Sequence, residues 1–171
     1  MLQHIVSMEA KRLNPRAQIV AEIGQLKRYF PSGRVISETT DSLTWEVRLQ
    51  PTVSSRIYTI KLKYKVGEYP RVFVTDPFPL ERYPGKDLLE HVYSTPNQEL
   101  CLFMKSTGEW TRQKMIAKTV IPWAAEWLQF YELWLSTGEW YGEGMHPQVK
   151  DKKKKDKKIC HLTLSRILLT N

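Results

Sequence analysis

Cys101 is the residue whose surroundings point most directly to chemistry in this chain of 171 residues, which contains only two cysteines. A polar, turn-forming run at 94–98 leads into it, and apolar residues surround it at 100–104. A second turn signal at 106–108 then leads to Trp110. Turn residues and proline of this kind, flanked by large apolar anchors, can hold a thiol still at a surface. We therefore interpret Cys101 as a nucleophile that carries an acyl group as a thioester.

The alternative interpretation is that Cys101 belongs to the core, because free cysteine is among the most buried residue types. Leu100 and Leu102 favour burial, and apolar surroundings raise the pKa of a thiol above its usual value of about 8.5. We therefore expect Cys101 to react only with activated acyl donors. An incoming amine must also lose a proton before it attacks, and three residues could accept that proton. These candidates are Glu99, Asp87 and His146.

The composition is that of one globular domain of average size, with 42% hydrophobic and 26% charged residues. No apolar run approaches the roughly 20 residues that a membrane helix needs. Residues 1–15 lack the layout of a signal peptide, so we expect a cytosolic protein whose cysteines are free thiols. Neither the two cysteines nor the four histidines show metal-ligand spacing, and no Gly-rich nucleotide loop is present. We therefore predict neither a metal nor a cofactor.

The net charge of +8 is uneven, because residues 148–171 carry seven lysines and one arginine against two aspartates. This tail therefore holds +6, and the remaining chain is close to neutral. We interpret the lysine run as a flexible linker, and Cys160 within the tail as incidental. An alternative is that the run attracts an acidic partner or nucleic acid.

The elements that must position the thiol begin with one helix and an antiparallel meander of four strands. Asn14 and Pro15 predict a helix N-cap followed by the first helical position, where proline fits. Apolar residues recur at helical spacing up to Phe30, and the turn at 31–33 ends the helix. Four strands follow, with period-2 alternation clearest in the second and third. They lie near 35–36, 43–50, 60–66 and 71–75.

A proline-rich loop at 76–85, the cysteine-bearing loop and one long helix complete the domain. Helical spacing runs from Gln113 to about Leu135, and Pro122 within it predicts a kink or a break. Further aromatic residues widen the apolar face, so we expect the helix to be covered on more than one side. The fold class is therefore α+β, with a domain at 1–147 and a tail at 148–171.

This order of elements resembles the ubiquitin-conjugating enzyme fold, and three motifs within residues 15–135 support the resemblance. The Tyr-Pro pair at 69–70 is similar to that family's turn before its fourth strand. His91 precedes Cys101 by ten residues, the spacing between the family's HPN histidine and its catalytic cysteine. The Leu-Cys-Leu sequence at 100–102, with Trp110 behind it, is similar to the family's cysteine signature.

The tryptophan-rich helix and the WYGEGMHP loop at 140–147 are similar to bacterial ubiquitin-conjugating-like proteins encoded in anti-phage operons. The resemblance is to the stand-alone conjugating-like enzyme of cyclic-oligonucleotide-based anti-phage signalling systems. It implies a thioester with the C-terminus of a cyclic GMP-AMP synthase-like nucleotidyltransferase, followed by transfer to an acceptor lysine.

The sequence departs from the family where the HPN tripeptide reads His-Val-Tyr at 91–93. The family's asparagine stabilises an oxyanion, and loss of such a donor typically costs on the order of 10²–10³ in rate. Tyr93, Asn97 or His146 could replace it, the last if its Gly-rich loop folds back over Cys101. His91 would support the loop. The competing structural roles are packing for Tyr93 and capping of the Pro96 turn for Asn97.

Three other functions stay open on the sequence. A non-catalytic module of the same fold that escorts a partner is favoured by the missing asparagine, whereas the retained cysteine favours the enzyme. A Cys-His hydrolase would use His146 or His91 as its base. Binding of nucleic acid through the tail would show a steeply salt-dependent affinity.

Overall fold

The computed structural model describes residues 14–142, so His146 and the predicted lysine-rich tail lie outside the described residues. The first element, α1, spans Pro15–Tyr29. Asn14 caps it as predicted, because its side-chain oxygen accepts a hydrogen bond from the backbone N–H of Arg16 at 2.9 Å. No helix in this part of the chain is long and apolar enough to cross a bilayer.

A six-stranded antiparallel sheet follows α1. Its strands are β1 (Arg34–Glu38), β2 (Ser42–Leu49), β3 (Tyr58–Lys65), β4 (Arg71–Asp76), β5 (Val92–Ser94) and β6 (Glu99–Leu100). The order in the sheet is β1-β2-β3-β4-β6-β5, so the first four strands form the predicted meander. The cysteine stretch was predicted as a loop, but its first part is a short hairpin that pairs with β4 through Phe73 and Glu99. This pairing fixes the hairpin to the sheet.

The sheet buries one face, as the alternating pattern predicts. Trp45 on β2 and Ile60 and Leu62 on β3 are completely buried, whereas the lysines between them, Lys61 and Lys63, lie on the opposite face. The alternation of the sequence thus determines which face of the sheet receives the helices.

The last element, α2, spans Val120–Thr137 and packs on the buried face, where the rings of Tyr58 and Tyr131 meet edge to face at 6.2 Å. The predicted start near Gln113 is wrong, because only a 3₁₀ turn forms upstream, at Ile116–Lys118. Pro122 lies in the first turn of α2, where no backbone N–H is needed for an intrahelical bond. Of the two predicted effects of Pro122, the helical pattern is therefore broken just before this residue, and α2 begins there without a kink.

Candidate functional site

Cys101 directly follows β6 and is tied to both the hairpin and α2 through a single carbonyl. The backbone N–H of Cys101 donates a hydrogen bond to the carbonyl oxygen of His91 at 3.0 Å. The indole N–H of Trp127 on α2 donates to the same oxygen at 2.9 Å. His91 reaches this geometry in the left-handed region, with φ of 48°. The ten-residue spacing from His91 to Cys101 is therefore the length of one hairpin, closed at its open end by this bond.

The imidazole ring of His91 lies against an aromatic segment that follows α2. It stacks on Trp140 with ring centroids 4.8 Å apart and an interplanar angle of 23°. His91 is buried, at 6% exposure. Trp140 also contacts Trp127 at 5.5 Å between centroids. The segment after α2 therefore returns to the hairpin and packs beside the cysteine.

Tyr93 and Lys105 flank the sulfur on the sheet side. The Tyr93 hydroxyl donates a hydrogen bond to the carbonyl oxygen of Phe103 at 3.4 Å, and it lies near enough to the Cys101 sulfur to lower the pKa of the thiol. The Lys105 ammonium lies over the Tyr93 ring, 4.9 Å from its centroid, and 5.6 Å from that of Tyr69. The Tyr69 hydroxyl also donates to the Lys105 carbonyl oxygen at 3.2 Å. Two phenol rings thus hold one cation close to the thiol.

The pKa of the Cys101 thiol is set by opposing effects. Burial raises it, which is the largest effect, and the Glu109 carboxylate raises it further. The nearby Tyr93 hydroxyl and the Lys105 cation lower it, because both stabilise the thiolate. The net result is a raised pKa, so the resting thiol is protonated at neutral pH. The direction agrees with the effect expected of apolar surroundings, and the restriction to activated acyl donors stays a prediction.

A cavity of about 440 Å³ lies on the other side of Cys101, toward α2. Its wall combines side chains from the hairpin, from α2 and from the segment after α2. They are His91, Cys101, Leu102, Trp123, Glu126, Trp127, Phe130, Trp140 and Tyr141. We expected other elements to bury α2 on more than one side. This burial is incomplete, since Trp123 and Phe130 stay partly exposed along the cavity.

The other candidate residues lie at different distances from the sulfur. Asn97 is exposed at the turn of the hairpin, where its N–H donates to the Ser94 hydroxyl at 3.3 Å. Cys101 is at the open end, so roughly 10 Å of chain separate the two. Both carboxylate oxygens of Glu99 bind Arg71, at 2.7 and 2.6 Å, and are not available to an amine. Asp87 is exposed in the loop between β4 and β5 and does not line the cavity.

Sequence reasoning missed Lys105 and Glu126. Lys105 follows the cysteine stretch without any pattern that points to it, because its position depends on two aromatic rings from other elements. Glu126 had a readable signal: Trp123 and Phe130 lie three residues before and four residues after it, on the same face of α2. A carboxylate within an aromatic stripe is unusual for a core-facing surface. Among residues 14–142, no group of three or more His, Cys, Asp or Glu could hold a metal.

Comparison with known families finds a match over most of the domain. A family model described as "Type II CBASS E2 protein" matches residues 22–147. The match includes α2, the whole sheet and each described residue that contacts Cys101. A comparison with curated proteins finds no match.

Proposed function

Because the chain belongs to the type II CBASS E2 family, we propose that it is a ubiquitin-conjugating-like acyltransferase with Cys101 as the nucleophile. The family assigns the chain to a bacterial anti-phage system, the cyclic-oligonucleotide-based anti-phage signalling system, with an E2-like function. The proposed step within that role is a thioester between Cys101 and the C-terminus of a partner protein, followed by transfer to an amine.

The observation that carries the proposal is the position of the thiol. Cys101 is only partly buried, and it borders an open cavity on one side and the Tyr93 hydroxyl on the other. A cysteine serving only as core would be enclosed by apolar side chains, with neither a hydrogen-bond donor nor an adjacent cation.

The proposed loading step follows from the protonated thiol. Cys101 loses its proton to solvent or to the departing thiolate, and its sulfur attacks the activated carbonyl carbon of the donor, an acyl adenylate or another thioester. The carbon–sulfur bond forms and the adenylate or thiolate leaves. Lys105 and Tyr93 stabilise the negative charge on sulfur while the proton departs. The proposed donor is a cyclic GMP-AMP synthase-like nucleotidyltransferase.

The proposed transfer step places charge on the carbonyl oxygen while the amine nitrogen attacks. In this proposal Tyr93 replaces the asparagine of related enzymes as the oxyanion donor, because its hydroxyl lies near the sulfur to which the acyl group would be bound. Burial raises the pKa of Tyr93, so the hydroxyl keeps its proton and can donate it in a hydrogen bond. Asn97 and His146 remain predictions for the same role.

Intact-mass spectrometry of the protein co-expressed with the nucleotidyltransferase from its own operon tests the proposal. We expect an adduct that thiol reductant removes, that is absent in Cys101→Ala, and that becomes resistant to reductant as an ester in Cys101→Ser. Cys160→Ser, a matched change of the other cysteine, should retain the adduct. Absence of any Cys101-dependent adduct would overturn the proposal.

The second candidate is a non-catalytic module of the same fold that escorts a partner. It is favoured by the burial that raises the pKa of Cys101. It predicts that Cys101→Ala binds the nucleotidyltransferase and supports phage defence as well as the wild type does. Enzymatic function predicts binding without defence.

A further inference from the structure

We propose that the cavity beside Cys101 binds the side chain of the acceptor lysine, and that Glu126 receives the ammonium group. The inference rests on the proposed function, since it assigns the second substrate of the same reaction to a defined site. The resemblance alone implied an amine acceptor but gave no residues that would select it.

Charge favours a cation in this cavity. Among residues 14–142 that line it, Glu126 is the only one with a carboxylate, and none is a lysine or an arginine. Glu126 lies on α2 and is exposed, so its carboxylate can approach a substrate without breaking a contact in the core. A carboxylate attracts a lysine ammonium, whereas the activated acyl group of a protein donor offers it no positive charge. The acceptor, rather than the donor, is therefore the occupant that this charge selects.

The aromatic walls favour the same ligand. Trp123, Phe130, Trp140 and Tyr141 contribute rings to the cavity, and Trp140 and Phe130 lie 6.0 Å apart between centroids. Ring faces attract cations within about 6 Å of their centroids. The methylene stem of lysine also packs favourably on aromatic surfaces. A site of several aromatic rings and one carboxylate therefore suits a long apolar stem that ends in a positive charge.

Because the cavity borders Cys101, a lysine bound there can react directly with the thioester, and every proton and bond of that step can be accounted for. Lysine in this site loses one proton from its ammonium to Glu126, and the neutral nitrogen attacks the thioester carbonyl carbon at Cys101. The carbon–nitrogen bond forms and the carbon–sulfur bond breaks. The departing sulfur takes the second proton from nitrogen and restores the thiol. No oxidant or further co-reactant is required.

The alternative occupant of the cavity is the C-terminal segment of the acyl donor. The two occupants can be distinguished experimentally, because the donor takes part in loading of Cys101 and the acceptor lysine only in discharge of the thioester. Purified thioester would be discharged with Nα-acetyl-lysine, which carries an ammonium, and with hydroxylamine, a neutral nucleophile at pH 7. For Glu126→Gln we expect unchanged loading, unchanged discharge by hydroxylamine, and discharge by Nα-acetyl-lysine slowed by about two- to fivefold, the range of an exposed ion pair. Glu68→Gln, at an exposed turn, serves as the control.

Slower loading of Glu126→Gln would overturn the proposal and assign the cavity to the donor. Equal slowing with both nucleophiles, or no slowing with either, would overturn it too. A second measurement does not need the thioester: titration of the unloaded protein with Nα-acetyl-lysine amide should change the fluorescence of the cavity tryptophans. The uncharged Nα-acetyl-norleucine amide should bind at least about fivefold more weakly. If the wild type forms no thioester, the proposed enzyme fails, whereas equal binding of the two amides refutes the lysine site itself.

Discussion

Replacing Lys105 with methionine should weaken the stabilisation of the Cys101 thiolate without altering its packing. The ammonium lies 4.9 Å from the centroid of the Tyr93 ring, and its positive charge lowers the pKa of the Cys101 thiol. Methionine keeps a stem of similar length but has no charge. The substitution therefore isolates the electrostatic contribution of one cation.

The size of the effect follows from Coulomb's law. Two unit charges roughly 7 Å apart at an effective dielectric constant of about 40 interact by about 1.2 kcal/mol. Because Lys105 is exposed, salt screens it, and a Debye length of about 8 Å at physiological ionic strength lowers the figure to about 0.5 kcal/mol. Over this range, Lys105→Met should reduce the thiolate fraction at neutral pH by roughly two- to eightfold.

The pH dependence of iodoacetamide alkylation, followed on the Cys101 peptide by mass spectrometry, measures this effect. The midpoint of the profile should move to higher pH in Lys105→Met, because burial and Glu109 then raise the pKa with less opposition. Lys105→Arg should keep the wild-type midpoint, and Lys27→Met, on the exposed side of α1, controls for loss of one charge elsewhere. An unchanged midpoint in Lys105→Met, or an equal displacement in Lys105→Arg, would refute the electrostatic role.

Three further predictions concern stability, each measured by urea unfolding. Gly33→Ala places a Cβ 2.5 Å from the Trp45 ring, so we expect a loss of about 1–3 kcal/mol from overpacking; an unchanged midpoint would show that the indole moves aside. Glu132→Ala removes the acceptor of the Tyr58 hydroxyl, which lies 3.0 Å away, and should cost about 1.5–3 kcal/mol. Burial raises the pKa of Glu22 in the folded protein above its value in the unfolded chain. The protonated carboxyl therefore stabilises the fold below the pKa of the unfolded chain, and this stabilisation is lost as the pH rises through the pKa of the folded protein. Glu22→Gln should therefore raise stability at neutral pH and not at about pH 3; a gain of equal size at both would contradict the assignment.

The fold could be predicted because its main elements carry strong periodic patterns. The alternation in β2 and β3 identifies the buried face, and Asn14 identifies the start of α1. The β5–β6 hairpin escaped prediction because its two strands have three and two residues, too few for a period to be seen. Its structure comes from pairing with β4, which is a contact distant in sequence. The start of α2 was predicted too early because Ile116 fits the helical spacing although it lies in a 3₁₀ turn.

The site was accessible to sequence reasoning only where its members are neighbours along the hairpin. His91, Tyr93 and Cys101 could be grouped because they lie in one short segment. Lys105 lies in a 3₁₀ turn at Lys105–Thr107 and Glu126 lies on α2, and no spacing rule relates those elements to the hairpin. Side chains brought together by tertiary packing carry no local signal. This is why Glu99, which is close to Cys101 in sequence, was among the candidate proton acceptors although it pairs with Arg71, whereas Glu126 was not considered.

The two sides of Cys101 differ in chemistry, and this difference should separate the steps of the proposed reaction. Lys105 and Tyr93 act on the sulfur itself, so their loss affects every step in which sulfur gains or sheds negative charge. Glu126 faces the cavity and acts on the nucleophile alone. Lys105→Met should therefore slow discharge by Nα-acetyl-lysine and by hydroxylamine to the same extent, whereas Glu126→Gln should slow only the first. If both variants gave the same pattern, the cation and the carboxylate would belong to one coupled network, and the division of the site into two sides would be wrong.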